Sequence, residues 1–226
     1  MEQMDRETGR YVTDGRLYSL NDMVKAGCGD CEGCSACCRG MGNSVTLNPL
    51  DSFLITSNLG KTFEMLLDGY IELGVENGLI LPHLKMRETD DACAFLNESG
   101  RCSIHRFRPG ICRIFPLGRD YKKDGIRYIF LVNGCQKKNR TKVKVQKWID
   151  TPDVQENERF LWKWHFFCKG LQTKIIQGKD GEMAKAASMY VLKTFYLEDY
   201  ESQAGFYGQF QKRLDQGLRD WDIDLQ

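Results

Sequence analysis

The chain has 226 residues, 42% hydrophobic and 11% aromatic, which supports a packed core and excludes a disordered chain. Its 32 basic and 31 acidic residues nearly cancel, so overall charge gives no reason to expect nucleic acid or an anionic membrane surface. The first residues carry no apolar run of signal-peptide length and no stretch is long enough to span a bilayer, so the expectation is a cytoplasmic protein without membrane insertion.

In chain order, residues 1–27 read as an irregular or partly helical lead-in. CGDCEGCSACC (28–38) follows, with glycines that let the backbone turn tightly. SVTL (44–47) reads as a short strand. Asn48 is placed to cap a helix with Pro49 at its first position and Gly60 as its stop. A second short helix is expected from Phe63 to Gly69. LILPHLKM (79–86) reads as extended, and Ala94 to Ile104 as a hairpin turning at Asn97-Glu98-Ser99-Gly100. RPGICRIFP (108–116) reads as a short helix or turn between prolines, and Ile126 to Val132 as a strand. Beyond residue 150, Phe160, Trp164, Phe167, Leu171 and Ile175 recur at helical spacing, as do Met183, Ala187, Tyr190 or Val191, and Thr194 or Phe195. A last helix is expected from Gln203 to about Leu218. The reading is α+β: a lead-in (1–27), a small cysteine-rich module of short strands and helices (28–150), and a C-terminal helical layer packed on it (151–226).

Ten cysteines in a reducing compartment point to metal or redox chemistry. A secreted disulfide scaffold is the rival reading, and it suits a chain too short to build its own core. Cys28, Cys31, Cys34, Cys37 and Cys38 follow C-x2-C-x2-C-x2-CC, and the x2 spacing lets two sulfurs converge on one metal. Three such spacings exceed one zinc knuckle and are similar to part of a ferredoxin run, which favours an iron–sulfur cluster over zinc. Cys93, Cys102, Cys112 and Cys135 are loosely spaced, as ligands delivered by separate elements would be. Adjacent Cys37 and Cys38 project differently, so the set allows two metals, one multinuclear site or a spare thiol. Arg39, Arg101, Arg106, Arg108 and Arg113 flank the cysteines and would offset thiolate charge. Pro109 and Pro116 would hold the Cys112 loop in shape.

CEGCSACC (31–38), CAFLNESGRCSIHRFRPGICRIFPLG (93–118) and a later cysteine together resemble the CxxCxxCC family, the YkgJ-type cysteine-cluster proteins described as zinc- or iron-chelating domains. The likeness runs over residues 28–150. It implies a metal ion or cluster held by Cys31, Cys34, Cys37, Cys38, Cys93, Cys102, Cys112 and Cys135. Cys28 lies outside the pattern, as an extra ligand or a free thiol beside the site. Cys168, in WKWHFFCKG, reads as a small core residue. The resemblance implies chelation without assigning a reaction. Some relatives are flagellin lysine methylases, so a methylase-like or redox metalloenzyme is one alternative. An interaction protein with a structural zinc site is another.

His105, three residues from Cys102, is the best nitrogen ligand candidate, though ring packing explains it as well. LGKT (59–62) lacks the glycine a phosphate loop needs, and Cys102 to Arg108 lacks the glycines of a phosphate cradle. Asp90-Asp91 reads as a solvated turn. QKKNRTKVKVQK (136–147) reads as a charged edge strand rather than a nucleic-acid surface.

Overall fold

The structure, a computed structural model, describes residues 12–29, 31, 34–178, 181–201 and 204–225. The lead-in before residue 12 and the expected helix start at Gln203 lie outside the described residues. The elements run β1 (Thr13–Tyr18), β2 (Met23–Gly27), α1 (Pro49–Leu59), α2 (Phe63–Leu67), β3 (Ile71–Glu76), β4 (Leu79–Leu84), α3 (Gly110–Ile114), β5 (Leu117–Lys122), β6 (Gly125–Leu131), β7 (Thr141–Lys144), α4 (Val145–Ile149), α5 (Val154–Gly178), α6 (Gly181–Leu192) and α7 (Phe206–Asp220). The fold is α+β. Contacts divide the chain into two compact units, Met1–Val45 with Met86–Glu158 and Thr46–Lys85 with Arg159–Gln226.

The first unit holds the short strands. β6 is the centre of an antiparallel sheet in the order β1-β6-β5, and β2 pairs with β7 in a second, two-stranded sheet. The described lead-in is therefore two strands rather than irregular or helical. In β2, Val24 and Ala26 are buried while Met23 and Lys25 face out, the period-2 pattern of a half-buried strand. In β1 only Tyr18 is buried, and the register shifts between Thr13 and Leu17, where Gly15 has φ 75°. That strand is stabilised by its partner more than by its own pattern. The basic run supplies β7, whose residues are mostly exposed.

The second unit begins where the sequence is most regular. Asn48 Oδ1 accepts from Asp51 N at 3.0 Å and Asp51 Oδ2 accepts from Asn48 N at 3.1 Å, a capping box that starts α1. Gly60, at φ 62°, ends it. β3 and β4 form a hairpin whose two-residue turn is Asn77-Gly78, both at positive φ. The expected strand at 44–47 reduces to a bridge between Thr46 and His83. Leu47 N donates to Pro82 O at 2.8 Å, but Pro82 has no N–H to extend the ladder.

Aromatic side chains fill the second unit's core. Phe160, Trp164 and Phe167 on α5 meet Phe195, Phe206 and Phe210, with Phe160 and Phe210 edge-on at 4.6 Å and Trp164 and Phe195 at 5.0 Å. Of the paired alternatives at the end of α6, Val191 and Phe195 are the fully buried ones. A π-helical turn at Lys193–Leu197 carries both Phe195 and Tyr196 inward, which regular helical spacing would not do. Three side chains tie the 46–85 segment to these helices. Gln172 Nε2 donates to Glu76 O at 3.1 Å, Ser188 Oγ accepts from Ile80 N at 3.0 Å, and buried Tyr196 donates to Leu47 O at 2.7 Å.

Two outcomes follow for stability. Tyr196→Phe leaves the buried Leu47 carbonyl unpaired and Ser188→Ala the part-buried Ile80 N–H, and each should cost about 1–2 kcal/mol in urea unfolding with an unchanged m-value. His165 is held below its ordinary value, at about 4, by burial and then by Lys169. A depressed histidine contributes stability above its unfolded value of 6.5 that is lost as pH falls through 4. Because the ring is half-exposed, that loss should be about 1–2 kcal/mol, and His165→Gln should flatten the pH dependence in this window.

Candidate metal centre

All ten cysteines are free thiols. Nine of them, Cys28 to Cys135, fall in the first unit, and Cys168 lies buried on α5 in the second. Burial pushes the Cys168 thiol well up, as expected of a core residue.

The nine thiols sort into two groups. Cys28, Cys31, Cys34, Cys37 and Cys135 line one small cavity of about 20 Å³, together with Ala36, Phe115 and Gly134. Gly134 packs tightly here, since a Cβ there would meet the Phe115 ring at 3.0 Å and the ring would have to shift. Cys112, on α3, is close enough for its charge to act on Cys37. α3 is anchored by Trp148 of α4, whose Nε1 donates to Ile114 O at 2.9 Å. The second group is Cys38, Cys93 and Cys102, mutually close by their effects on one another's ionisation. Cys93 N donates to Cys38 O at 2.8 Å, and single bridges pair Met86 with Cys93 and Leu96 with Cys102. The 97–100 turn forms as read, with Gly100 N donating to Asn97 O at 2.9 Å, but the hairpin around it is this one bridge.

Cys37 and Cys38 join the groups. They end a 3-10 turn, Ala36–Cys38, and Cys37 hydrogen-bonds to the Cys38 sulfur. That bond raises Cys37 strongly, and its burial adds to the shift. The same bond, followed by Arg108 and Arg39, lowers Cys38 to about 7 against the opposing effect of burial. Burial pushes Cys93 up to about 11 and raises Cys102 and Cys135. Each of these three sulfurs also faces the backbone N–H two residues on, from Phe95, Ile104 and Lys137, which favours the thiolate.

The arginines serve unequally. Arg39 and Arg108 act on Cys38, and Arg101 and Arg108 on Cys102. Arg101 Nη1 also donates to Cys31 O at 3.0 Å. Arg113 instead binds Arg106 O at 2.7 Å. Two arginines that sequence proximity did not pick out, Arg87 and Arg140, act on Cys93 and Cys135. Asp90 is more than a solvated residue, pairing with Arg39 at 3.1 Å and Arg87 at 2.7 Å and so holding both beside the thiols. His105 Nε2 contacts Arg108 Nη1.

Among the described residues, no group of three or more His, Cys, Asp or Glu side chains is arranged to hold a metal ion as it stands. The donor chemistry nevertheless suits zinc or iron. Five soft sulfurs line one cavity, no carboxylate lines it, and Ala36, Phe115, Gly134, Gln136 and Lys137 close the remainder.

No helix among the described residues is long and apolar enough to cross a membrane. No curated protein and no solved structure matches the chain. One family model, described as "CxxCxxCC: putative zinc- or iron-chelating domain", matches residues 30–142, half of the chain and the span that contains Cys31 through Cys135. The chain belongs to this CxxCxxCC family of zinc- or iron-chelating domains.

Proposed function

We propose that the protein is a cytoplasmic metal-binding protein whose thiolates hold iron in an iron–sulfur cluster. The ligands are Cys31, Cys34, Cys37, Cys38, Cys93, Cys102, Cys112 and Cys135, with Cys28 as an additional ligand. The observation that carries this reading is the repeated turn at Cys93, Cys102 and Cys135, in which the amide two residues on points at the sulfur. Such N–H groups favour the thiolate over the thiol and so oppose the effect of burial on each sulfur. Iron is favoured over zinc because five sulfurs surround a single cavity, one more than a tetrahedral zinc uses. Metal uptake would replace the thiol protons and draw the neighbouring sulfurs inward. A cluster would supply electron-transfer or Lewis-acid chemistry; the chain's own part is to supply sulfurs, offset their charge with Arg39, Arg101 and Arg108, and exclude water with Phe115.

Elemental analysis of protein purified without oxygen should find several iron atoms per chain with matching acid-labile sulfide. Zinc at one or two atoms per chain, without iron, would replace the cluster by a zinc site. Cys31→Ser with Cys34→Ser should remove the metal and lower the melting temperature, whereas unchanged melting in a metal-free double variant would refute a metal-dependent fold.

The raised thiols set a second outcome. In metal-free protein, a thiol raised from 9.0 to about 11, as at Cys93, contributes stability that is present below pH 9 and lost as pH rises through 11. Denaturation followed against pH should show that alkaline loss in the metal-free form and not in the loaded form. Metal affinity should rise with pH between 6 and 8, with protons released on binding; a flat affinity would contradict thiol ligation.

A further inference from the structure

The second unit has a cavity of about 350 Å³, the size of a small-ligand site, built on residues that metal binding does not use. One wall is a single face of α1 with the turn after it, including Ser52, Phe53, Thr56 and Lys61. The other is the π-helical turn and the residues following it, including Glu198, Asp199 and Tyr200.

Three features mark it as more than a packing gap, and buried Ser52, 3% exposed, stands in its lining. The Tyr200 hydroxyl is buried and has no hydrogen-bond partner among the described residues. An unmet buried hydroxyl costs free energy unless something bonds to it. Charges of opposite sign come from opposite chain segments: Lys61, whose Nζ lies 5.2 Å from the centre of the Tyr70 ring, from the first, and the exposed Glu198 and Asp199 from the second, with neither carboxylate in an ion pair among the described residues. Finally, the second wall is rigid. Arg213 donates to Thr194 O, Glu198 O and Asp199 O at 2.6–2.8 Å and lies 3.9 Å over the Tyr200 ring, which also packs on Phe53 and Phe206. With its guanidinium engaged by three carbonyls, Arg213 orders the loop through the backbone of Glu198 and Asp199 and not through their carboxylates.

We infer that this cavity binds a small zwitterion with an apolar body, in chemical class an α-amino acid with an apolar side chain. Its ammonium is taken by Glu198 and Asp199, its carboxylate by Lys61, and its side chain by the Phe53 and Tyr200 rings. Ser52 and Tyr200 offer hydroxyls to the polar end. A simple amine leaves Lys61 unmatched and a simple acid leaves the two carboxylates unmatched, so both charges are required together.

The test is calorimetric titration of the full chain with the apolar and aromatic L-amino acids, and with phenethylamine and 3-phenylpropionate as the single-charge counterparts of phenylalanine. At least one amino acid should bind, about tenfold or more tighter than its amine or acid counterpart. Lys61→Met, and Glu198→Gln with Asp199→Asn, should each weaken binding about tenfold without changing the melting temperature. Ser57→Trp, introduced from the exposed rim of the cavity, should abolish it. Equal binding by the amine or the acid alone would overturn the proposal. So would no binding by any of these amino acids at about 10 mM, or binding that survives the charge variants.

Discussion

Sulfurs gathered this densely resist ionisation, because each thiolate formed raises the cost of the next and burial raises it further. The architecture of the first unit answers that constraint. Cys93, Cys102 and Cys135 each have an amide aimed at the sulfur, Arg87, Arg101, Arg108 and Arg140 lie within reach of their charge, and Arg39 within reach of Cys38. Asp90 then holds Arg39 and Arg87 in place without itself approaching as a ligand. The elements that carry the thiols are short: a 3-10 turn, a five-residue helix and isolated bridges. Elements of that length bury little apolar surface for each residue ordered, so the cross-linking that a cation provides would weigh heavily in the stability of this unit.

The second unit rests on different physics. Its long helices bury an aromatic cluster, and its β3–β4 hairpin is bound to those helices by Gln172, Ser188 and Tyr196. This unit takes in the segment between Cys38 and Cys93, which explains why the cysteine spacing opens so widely there. The gap is occupied by a capped helix, a second short helix and a hairpin, so it carries no information about ligand geometry. A domain boundary read from composition near residue 150 follows the change from short strands to long helices, while the contact pattern follows the chain's return at residue 46.

Legibility in the sequence tracked how local the cause was. The α1 boundaries were readable because Asn48, Pro49 and Gly60 act on their own neighbours. The α5 to α7 pattern was readable because burial repeats every three or four residues. β1 was not, since four of its six residues are exposed and its strand form comes from pairing with β6, more than a hundred residues away. β3 was missed although Asn77-Gly78 is a hairpin signal, because Gly74 and two acids dilute its apolar alternation. The cysteine set could be read as a list, yet not as two groups: Cys135 joins the N-terminal thiols rather than Cys93 and Cys102, and only the sheet that brings residues 12–27 against 125–144 determines that.

The adjacent pair is where both groups are decided. Two consecutive residues in a 3-10 turn project about a third of a revolution apart, so one can face the cavity while the other faces Cys93 and Cys102. Their adjacency also lets Cys37 hydrogen-bond to the Cys38 sulfur, the largest cause of the lowering of Cys38. The turn is held at both ends. Cys38 N donates to Ser35 O at 2.9 Å, and Cys38 O accepts from Cys93 N, so the backbone of one clustered cysteine is fixed by the backbone of another. Upstream, Cys31 adopts φ 60°, a left-handed conformation that a side chain disfavours by about 1–2 kcal/mol, and Arg101 grips its carbonyl.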